Sequence, residues 1–142
     1  MAQTIDQAKT GGFENVAVIG FGLIGASFAA ALRAVNPSAQ VMAVDTDLAT
    51  RVEAVNRGWA TATAAPDAAE FRAFIEDGCD LVVLATPVSV VEGYLKDLAE
   101  WGYRGIITDT ASTKSRIIEM AAHTLPYPQN FVPGHPMAGS EK

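Results

Sequence analysis

Short apolar runs alternate along the chain with longer segments that are rich in helix-forming residues. The apolar runs carry β-branched residues and stop at glycine, proline or aspartate, which is typical of buried strands in a parallel sheet. They predict strands over residues 15–20, 40–45, 80–87, 105–109 and 130–134. The segments between them predict helices over residues 23–35, 48–57, 88–100 and 112–123. The pattern is weaker between residues 58 and 78, where it predicts a strand over 60–63 and a helix over 67–76.

This alternation predicts a doubly wound α/β domain with a mostly parallel sheet. Parallel neighbours need crossover connections, and the crossing helices cover both faces of the sheet. A length of 142 residues suits one domain of this kind. Residues 1–13 are polar, lack periodicity and include Gly11-Gly12. We therefore predict a flexible leader over residues 1–13 and a single domain over residues 14–142.

The net charge and the cysteine content indicate which classes of binding partner to expect and in which cellular compartment the protein acts. The net charge of −6 argues against binding nucleic acid or anionic lipid through bulk electrostatics, so we expect small-molecule partners. No stretch approaches the roughly 20 apolar residues that a membrane helix needs. The single cysteine, Cys79, cannot form an internal disulfide, and with no apolar leader present we predict a cytoplasmic protein. Cys79 has no histidine near it in the sequence, which favours a small packing residue over a nucleophile.

A G-x-G-x-x-G motif stands where the first strand meets the first helix; it consists of Gly20, Phe21, Gly22, Leu23, Ile24 and Gly25. Its glycines permit a tight turn, close approach of a pyrophosphate and close helix packing, while the helix N-terminus attracts phosphate. Asp45 follows Gly25 by 20 residues, at the end of the second strand, where a carboxylate can accept hydrogen bonds from ribose hydroxyls. Its charge would repel a 2′-phosphate, and Thr46 and Asp47 supply no arginine to bind one. The motif thus predicts NAD rather than NADP; the alternative is a structural turn beside a surface aspartate.

Two further strand ends carry polar residues that face the same predicted crevice. Thr86 and Pro87 follow a central strand and should line the crevice beside the adenosine half, although Pro87 also suits the first position of a helix. Ser112 lies within DTASTK, at the next change from strand to helix. A plain helix cap at Thr110 or Ser112, with Lys114 as a solvated helix residue, explains DTASTK equally well.

The segment GHPMAGSE follows the last predicted strand and holds His135 between a glycine and a proline. Prolines at positions 133 and 136 restrict the backbone around His135 and so hold its imidazole in a defined place. A neutral imidazole can accept a proton from a substrate hydroxyl while hydride leaves the same carbon. His123 lacks such a setting, and near a helix end we expect it to contact terminal carbonyls or solvent.

Taken together, GFGLIGAS with Asp45, then ATPV, DTASTK and FVPGHPMAGSE, resemble the nucleotide-binding half of the prephenate dehydrogenase family, which includes arogenate and cyclohexadienyl dehydrogenases. The resemblance covers residues 15–142. It implies a Rossmann-like domain and an NAD-dependent oxidative decarboxylation of prephenate to 4-hydroxyphenylpyruvate in tyrosine biosynthesis. It also implies that His135 accepts the hydrogen bond of the 4-hydroxyl, that Ser112 contacts cofactor and orients His135, and that Glu141 lies nearby. Lys114 matches the family pattern, with a role that the resemblance leaves open beyond support of the site.

Family members also carry a second, mostly helical domain that forms a homodimer and supplies cations for the substrate carboxylates. The present chain stops at Lys142, so we expect it to bind NAD and to turn over little or no substrate. Three alternatives remain open: an arogenate dehydrogenase, another NAD-dependent hydroxyacid oxidoreductase, and a non-catalytic module that senses NAD.

Overall fold

The computed structural model describes residues 12–112 and 114–134, which build one parallel sheet covered by helices. The sheet has the order β3-β2-β1-β4-β5-β6, and every described strand pair is parallel. Its strands are β1 (Asn15–Ile19), β2 (Gln40–Val44), β3 (Ala62–Ala64), β4 (Leu81–Leu84), β5 (Ile106–Asp109) and β6 (Phe131–Val132). The helices are α1 (Leu23–Val35), α2 (Leu48–Asn56), α3 (Ala69–Glu76), α4 (Val88–Glu100) and α5 (Lys114–Thr124), followed by a 3-10 turn at Pro128–Asn130. The predicted doubly wound α/β architecture is confirmed.

Apolar layers cover both faces of the sheet. Helices α1 and α2 contribute Ala29 and Ala54 to the layer on one face. Helices α3, α4 and α5 contribute Phe71, Leu95 and Ile117 to the layer on the other face. Strands β1, β2 and β4 are therefore buried on both sides, which explains why their sequences are continuous apolar runs rather than alternating ones.

The strand order reverses beside β1, which pairs with β2 on one side and with β4 on the other. Helix α1, which follows β1, packs on one face of the sheet, whereas α4, which follows β4, packs on the opposite face. The two connections therefore separate at the carboxyl edge of the sheet. Open α/β sheets bind ligands at this type of position.

The largest differences from the predicted bounds lie at this edge. The strand predicted over 80–87 ends at Leu84: the Ala85 N–H still donates to the Ile19 carbonyl oxygen at 2.8 Å, and the chain then leaves the sheet. The helix predicted from residue 112 begins at Lys114, so Ser112 precedes it. The strand predicted over 60–63 lies at Ala62–Ala64, and the helix predicted from residue 67 begins at Ala69. Within the described residues, no helix is long and apolar enough to cross a membrane.

Candidate functional site

The chain turns sharply at Gly20, between β1 and α1. Gly20 has a φ of +90°, which residues with a side chain rarely adopt, and a Cβ there would lie 2.6 Å from the Ala85 carbonyl oxygen. The Gly20 N–H donates to the Val44 carbonyl oxygen at 2.8 Å, so the turn is also tied to β2. Only glycine fits this point, where the ends of β1, β2 and β4 meet.

The N-terminus of α1 opens into the space beside this turn. Gly22 is the N-cap residue; among the described residues, no side chain caps the helix and a Cβ on Gly22 would meet no atom within 4 Å. N–H groups in the first turn of a helix have no intrahelical acceptor, and the helix dipole adds a positive potential there. An anionic group such as a pyrophosphate fits this open space, because both the room and the donors are present.

The remaining residues of the glycine motif have different surroundings. Phe21 is 4% exposed and packs into the apolar layer beneath α1, so only its backbone can face a ligand. Leu23 and Ile24, in contrast, are 84% and 43% exposed. Gly25 brings α1 against the turn, since a Cβ there would overlap the Gly20 carbonyl oxygen and lie 3.2 Å from Val18 Cγ1. The motif therefore acts mainly through its backbone and its lack of side chains.

Asp45 lies directly after β2 and holds two loops together. Its Oδ2 accepts a hydrogen bond from the Phe21 N–H at 2.8 Å, and its Oδ1 accepts one from the Asp47 N–H at 2.9 Å. A carboxylate oxygen has two lone pairs, so both oxygens can still accept from a ligand hydroxyl. The surface-aspartate alternative is thus incomplete, because this carboxylate fixes the loop after β1 to the loop after β2.

Two residues near Asp45 belong to none of the sequence motifs. Arg51, in the first turn of α2, points its Nη1 back to the Asp45 carbonyl oxygen at 2.7 Å. Tyr94 lies on α4; burial first, and then the negative charge of Asp45, raises the pKa of its hydroxyl. Helical spacing was the available signal: Arg51 comes four residues after Asp47, and Tyr94 seven residues after Pro87.

The other wall of the space comes from the end of β4 and from α4. Pro87 lines the crevice, but it is the N-cap residue of α4 and not its first helical residue, which is Val88. Thr86 lines the crevice as well, and its buried Oγ1 has no hydrogen-bond partner among the described residues. Val90 and Tyr94 extend this wall along α4.

These walls enclose a crevice of about 400 Å³ between the glycine turn, Asp45 and α4. A depression of about 470 Å³ lies elsewhere, between α3 and α4, and includes Arg72 and Trp101 but no residue of the predicted motifs. We assign the functional site to the crevice of about 400 Å³, because it contains the uncapped end of α1 and the residues at the ends of β1, β2 and β4.

Asp109 organises the neighbouring strand ends. It is 2% exposed; its Oδ2 accepts from the Ala111 N–H at 2.9 Å and from Lys114 Nζ at 2.7 Å. Its Oδ1 accepts from the Gly134 N–H at 3.3 Å. The interpretation of Lys114 as a solvated helix residue is wrong, because it pairs with this buried carboxylate and its side chain is 22% exposed.

The predicted catalytic residues are described only in part. Ser112 is exposed, and its side chain makes no hydrogen bond within the described part of the chain, so the structure gives no support to a cap at this position. His135 and Glu141 lie outside the described residues. The Asp109 carboxylate nevertheless fixes the backbone that leads into His135, since Gly134 immediately precedes it.

Two residues without a predicted catalytic role lie as the sequence suggested. His123 is exposed, and its Nδ1 lies 2.9 Å from the Glu119 carbonyl oxygen near the end of α5. Cys79 is buried, and burial raises the pKa of its thiol to about 11. A thiol with this pKa carries almost no thiolate near neutral pH, which agrees with a packing residue rather than a nucleophile.

Comparison with known proteins agrees with this geometry. The chain is 33% identical over 132 residues to the prephenate dehydrogenase of Bacillus subtilis, with 91% of this chain and 34% of that protein covered. It is also 33% identical over 132 residues to the cyclohexadienyl dehydrogenase of Zymomonas mobilis, with 91% and 42% covered. The chain thus spans about a third to two fifths of the length of these curated relatives.

A solved structure extends the likeness to three dimensions. The prephenate dehydrogenase of Aquifex aeolicus, in complex with hydroxyphenyl propionate and NAD+, superimposes with a TM-score of 0.78 at 28% identity, with 91% of this chain and 43% of that chain covered. The family model for the nucleotide-binding domain of prephenate dehydrogenase matches residues 28–142, which is most of the chain. The chain therefore belongs to the family of prephenate dehydrogenase nucleotide-binding domains.

Proposed function

We propose that this chain binds NAD and forms the cofactor half of an enzyme that oxidises and decarboxylates prephenate to 4-hydroxyphenylpyruvate. The observation that carries the proposal is the crevice at the end of β1, where the uncapped N-terminus of α1 meets open space beside Gly22. The Aquifex aeolicus structure, which holds NAD+, supports the identity of the cofactor.

The described residues offer a separate contact for each of several parts of a dinucleotide. The backbone N–H groups at the start of α1 would hold the pyrophosphate. Asp45 would accept hydrogen bonds from the adenosine ribose, since its carboxylate is held in place by Phe21 and Asp47. Val90 and Tyr94 offer an apolar wall on the side of β4. When bound, NAD supplies the acceptor for the hydride that leaves the substrate.

The protein residues would then have to orient the substrate and accept one proton. We propose His135 as the group that accepts the hydrogen bond, and then the proton, of the 4-hydroxyl, because a neutral imidazole does this near pH 7. Ser112 would orient His135 and that hydroxyl, and Glu141 would lie nearby. The contact between Asp109 and the Gly134 N–H supports this arrangement, because it ties the segment before His135 to the strand that leads to Ser112.

Arogenate is the second candidate substrate. The Zymomonas mobilis relative is named a cyclohexadienyl dehydrogenase, which supports a site that accepts more than one cyclohexadienyl acid. Prephenate and arogenate differ in the side-chain keto or amino group, so a comparison of kcat/KM for the two substrates separates the alternatives. We further propose that the enzyme acts in the cytoplasm as a homodimer.

The cofactor half of the proposal is tested by calorimetric titration of the 142-residue chain with NAD and, separately, with NADP. We expect binding of NAD with clear preference over NADP. Gly22→Val should weaken NAD binding at least tenfold, because its side chain would fill the space kept for the pyrophosphate. Gly93→Ala on α4 is the matched control, since a Cβ there also meets nothing within 4 Å and lies outside the crevice lining.

Absence of NAD binding by a chain with a cooperative unfolding transition would contradict the proposed cofactor site. The chemical half is tested by His135→Asn, measured as prephenate oxidation by the protein that carries this domain. We expect kcat to fall by about 10²- to 10⁴-fold with NAD affinity unchanged. Retention of full prephenate oxidation would contradict the proposed role of His135 as the proton acceptor.

A further inference from the structure

Arg51 lies beside Asp45, the residue that would contact the adenosine ribose of a dinucleotide at the end of β2. The residues directly after Asp45 include no arginine, but Arg51, in the first turn of α2, brings a guanidinium back to the end of β2. Its Nη1 donates to the Asp45 carbonyl oxygen at 2.7 Å, and its side chain is partly buried. Arg51 is therefore held beside the residue that selects between ribose hydroxyls and a 2′-phosphate.

The charge of Arg51 is not neutralised by an ion pair within the described residues. The four ion pairs described there involve Arg57, Arg72, Lys96 and Lys114. The contact of Arg51 with Asp45 uses the backbone carbonyl rather than the carboxylate, and it occupies one of the five N–H donors of the guanidinium. Donors and charge thus remain for an anionic ligand.

The nearby carboxylates are committed to the backbone. Asp45 accepts from the N–H groups of Phe21 and Asp47. Asp47 caps α2, with its Oδ2 accepting from the Thr50 N–H at 2.9 Å and from Thr50 Oγ1 at 2.7 Å. The hydrogen bonds from Thr50 lower the pKa of Asp47, and the charge of Arg51 contributes less, so Asp47 stays anionic.

We propose that Arg51 can act as a ligand for a 2′-phosphate and that the negative charge of Asp45 prevents it from doing so in this chain. A 2′-phosphate adds nearly two negative charges, which the Asp45 carboxylate repels and a guanidinium binds through two parallel hydrogen bonds. Loss of the Asp45 charge leaves the Arg51 guanidinium beside that strand end, whereas the Asp47 carboxylate is held by Thr50 at the start of α2. This inference rests on the proposed NAD site and concerns its selectivity.

The test is a double-mutant cycle in which calorimetry measures the affinity of each variant for NAD and for NADP. The variants are Asp45→Ser, Arg51→Gln and the double variant. We expect the ratio of NADP to NAD affinity to be at least tenfold higher in Asp45→Ser than in the original chain. In the double variant most of this increase should be absent, because hydrogen bonds to charged groups contribute about ten- to a hundredfold in affinity. Arg51→Gln alone should bind NAD with an affinity within about threefold of that of the original chain, and it should bind NADP more weakly than the original chain does.

Arg57→Gln, at the C-cap position of the same helix, is the control. Arg57 pairs with Glu53 at 2.7 Å and its side chain is 59% exposed, so its loss in the Asp45→Ser background should leave the NADP gain intact. Asp45→Asn is a second neutral variant that keeps one acceptor oxygen for the Phe21 N–H, in case the serine variant unfolds. It should raise the ratio of NADP to NAD affinity in the same direction.

The outcomes separate this inference from the proposed function. If the original chain binds NAD but neither neutral variant gains NADP affinity, the inference is overturned and the cofactor site stands. It is also overturned if the gain persists after removal of Arg51. If the folded chain binds neither dinucleotide, the proposed cofactor site fails, and this inference fails with it.

Discussion

The packing of α1 against the glycine turn gives a quantitative prediction for Gly25→Ala. Alanine in place of glycine stabilises a helix by about 1 kcal/mol when nothing obstructs the new methyl group. At Gly25 the methyl group would overlap the Gly20 carbonyl oxygen, which belongs to the backbone and cannot rotate away. Overpacking of this kind costs about 1–3 kcal/mol. The helix-propensity gain is therefore cancelled or exceeded, and the turn must move.

Gly93→Ala supplies the reference for this magnitude. Gly93 lies in the middle of α4, and a Cβ there meets no atom within 4 Å. We expect this variant to be more stable than the original chain by up to about 1 kcal/mol. Because both variants gain helix propensity, the difference between them isolates the contact with Gly20. We expect Gly25→Ala to be less stable than Gly93→Ala by about 1–3 kcal/mol, or roughly 3 °C in Tm for each kcal/mol.

The assay is urea unfolding followed by circular dichroism, with NAD affinity as a second readout. Gly25→Ala should also lose NAD affinity, because the displaced turn carries the N–H groups that face the crevice. Equal stability of the two variants within about 0.5 kcal/mol would refute the close contact between α1 and the turn. Lower stability with unchanged NAD affinity would refute the link between that contact and the cofactor site.

Three further predictions concern buried groups near the strand ends. Lys114→Met should lower the free energy of unfolding by about 2–3 kcal/mol in urea titrations, because it leaves the Asp109 carboxylate buried without its counter-ion. The control variant Lys96→Met removes an exposed ion pair and should lower the free energy of unfolding by less than about 0.5 kcal/mol. Thr86→Val should leave the free energy of unfolding unchanged or raise it by about 1 kcal/mol, because the buried Oγ1 has no partner among the described residues. Cys79 should react with a thiol reagent at pH 8 about 100-fold more slowly in the folded chain than in urea, because folding raises its pKa from 9.0 to about 11.

The cysteine also predicts a sign for the pH dependence of stability. A folded-state pKa above the unfolded value means that the stabilising contribution of the neutral thiol is present below pH 9.0 and is lost as the pH rises through about 11. Cys79→Ala should therefore lose less stability than the original chain over this interval. Rapid labelling of the folded chain at pH 8 would contradict the burial of this thiol.

For the threonine variant, a large loss of stability in Thr86→Val would show that the Thr86 hydroxyl has a hydrogen-bond partner.

The fold class and the position of the cofactor crevice follow from local patterns along the chain. Buried parallel strands need continuous apolar runs, and helices between them need periodic ones, so strand 15–19 and helices 23–35 and 88–100 could be predicted from local pattern. The glycine motif was equally readable, because a positive φ at Gly20 and close packing at Gly25 exclude other residues at these positions. Such requirements act within a few residues of the chain.

The packing of the helices on the sheet, in contrast, set which side chains meet at the strand ends. Lys114 looked like a solvated helix residue until β5 and α5 placed its Nζ 2.7 Å from the buried Asp109 carboxylate. Arg51 was overlooked because the residues that directly follow Asp45 contain no arginine, whereas the turn of α2 brings its guanidinium back to that strand end. Tyr94 reaches the crevice because α4 packs on the face opposite α1. These contacts depend on how each helix leaves its strand and packs on the sheet, so helical spacing alone does not show which group each side chain reaches.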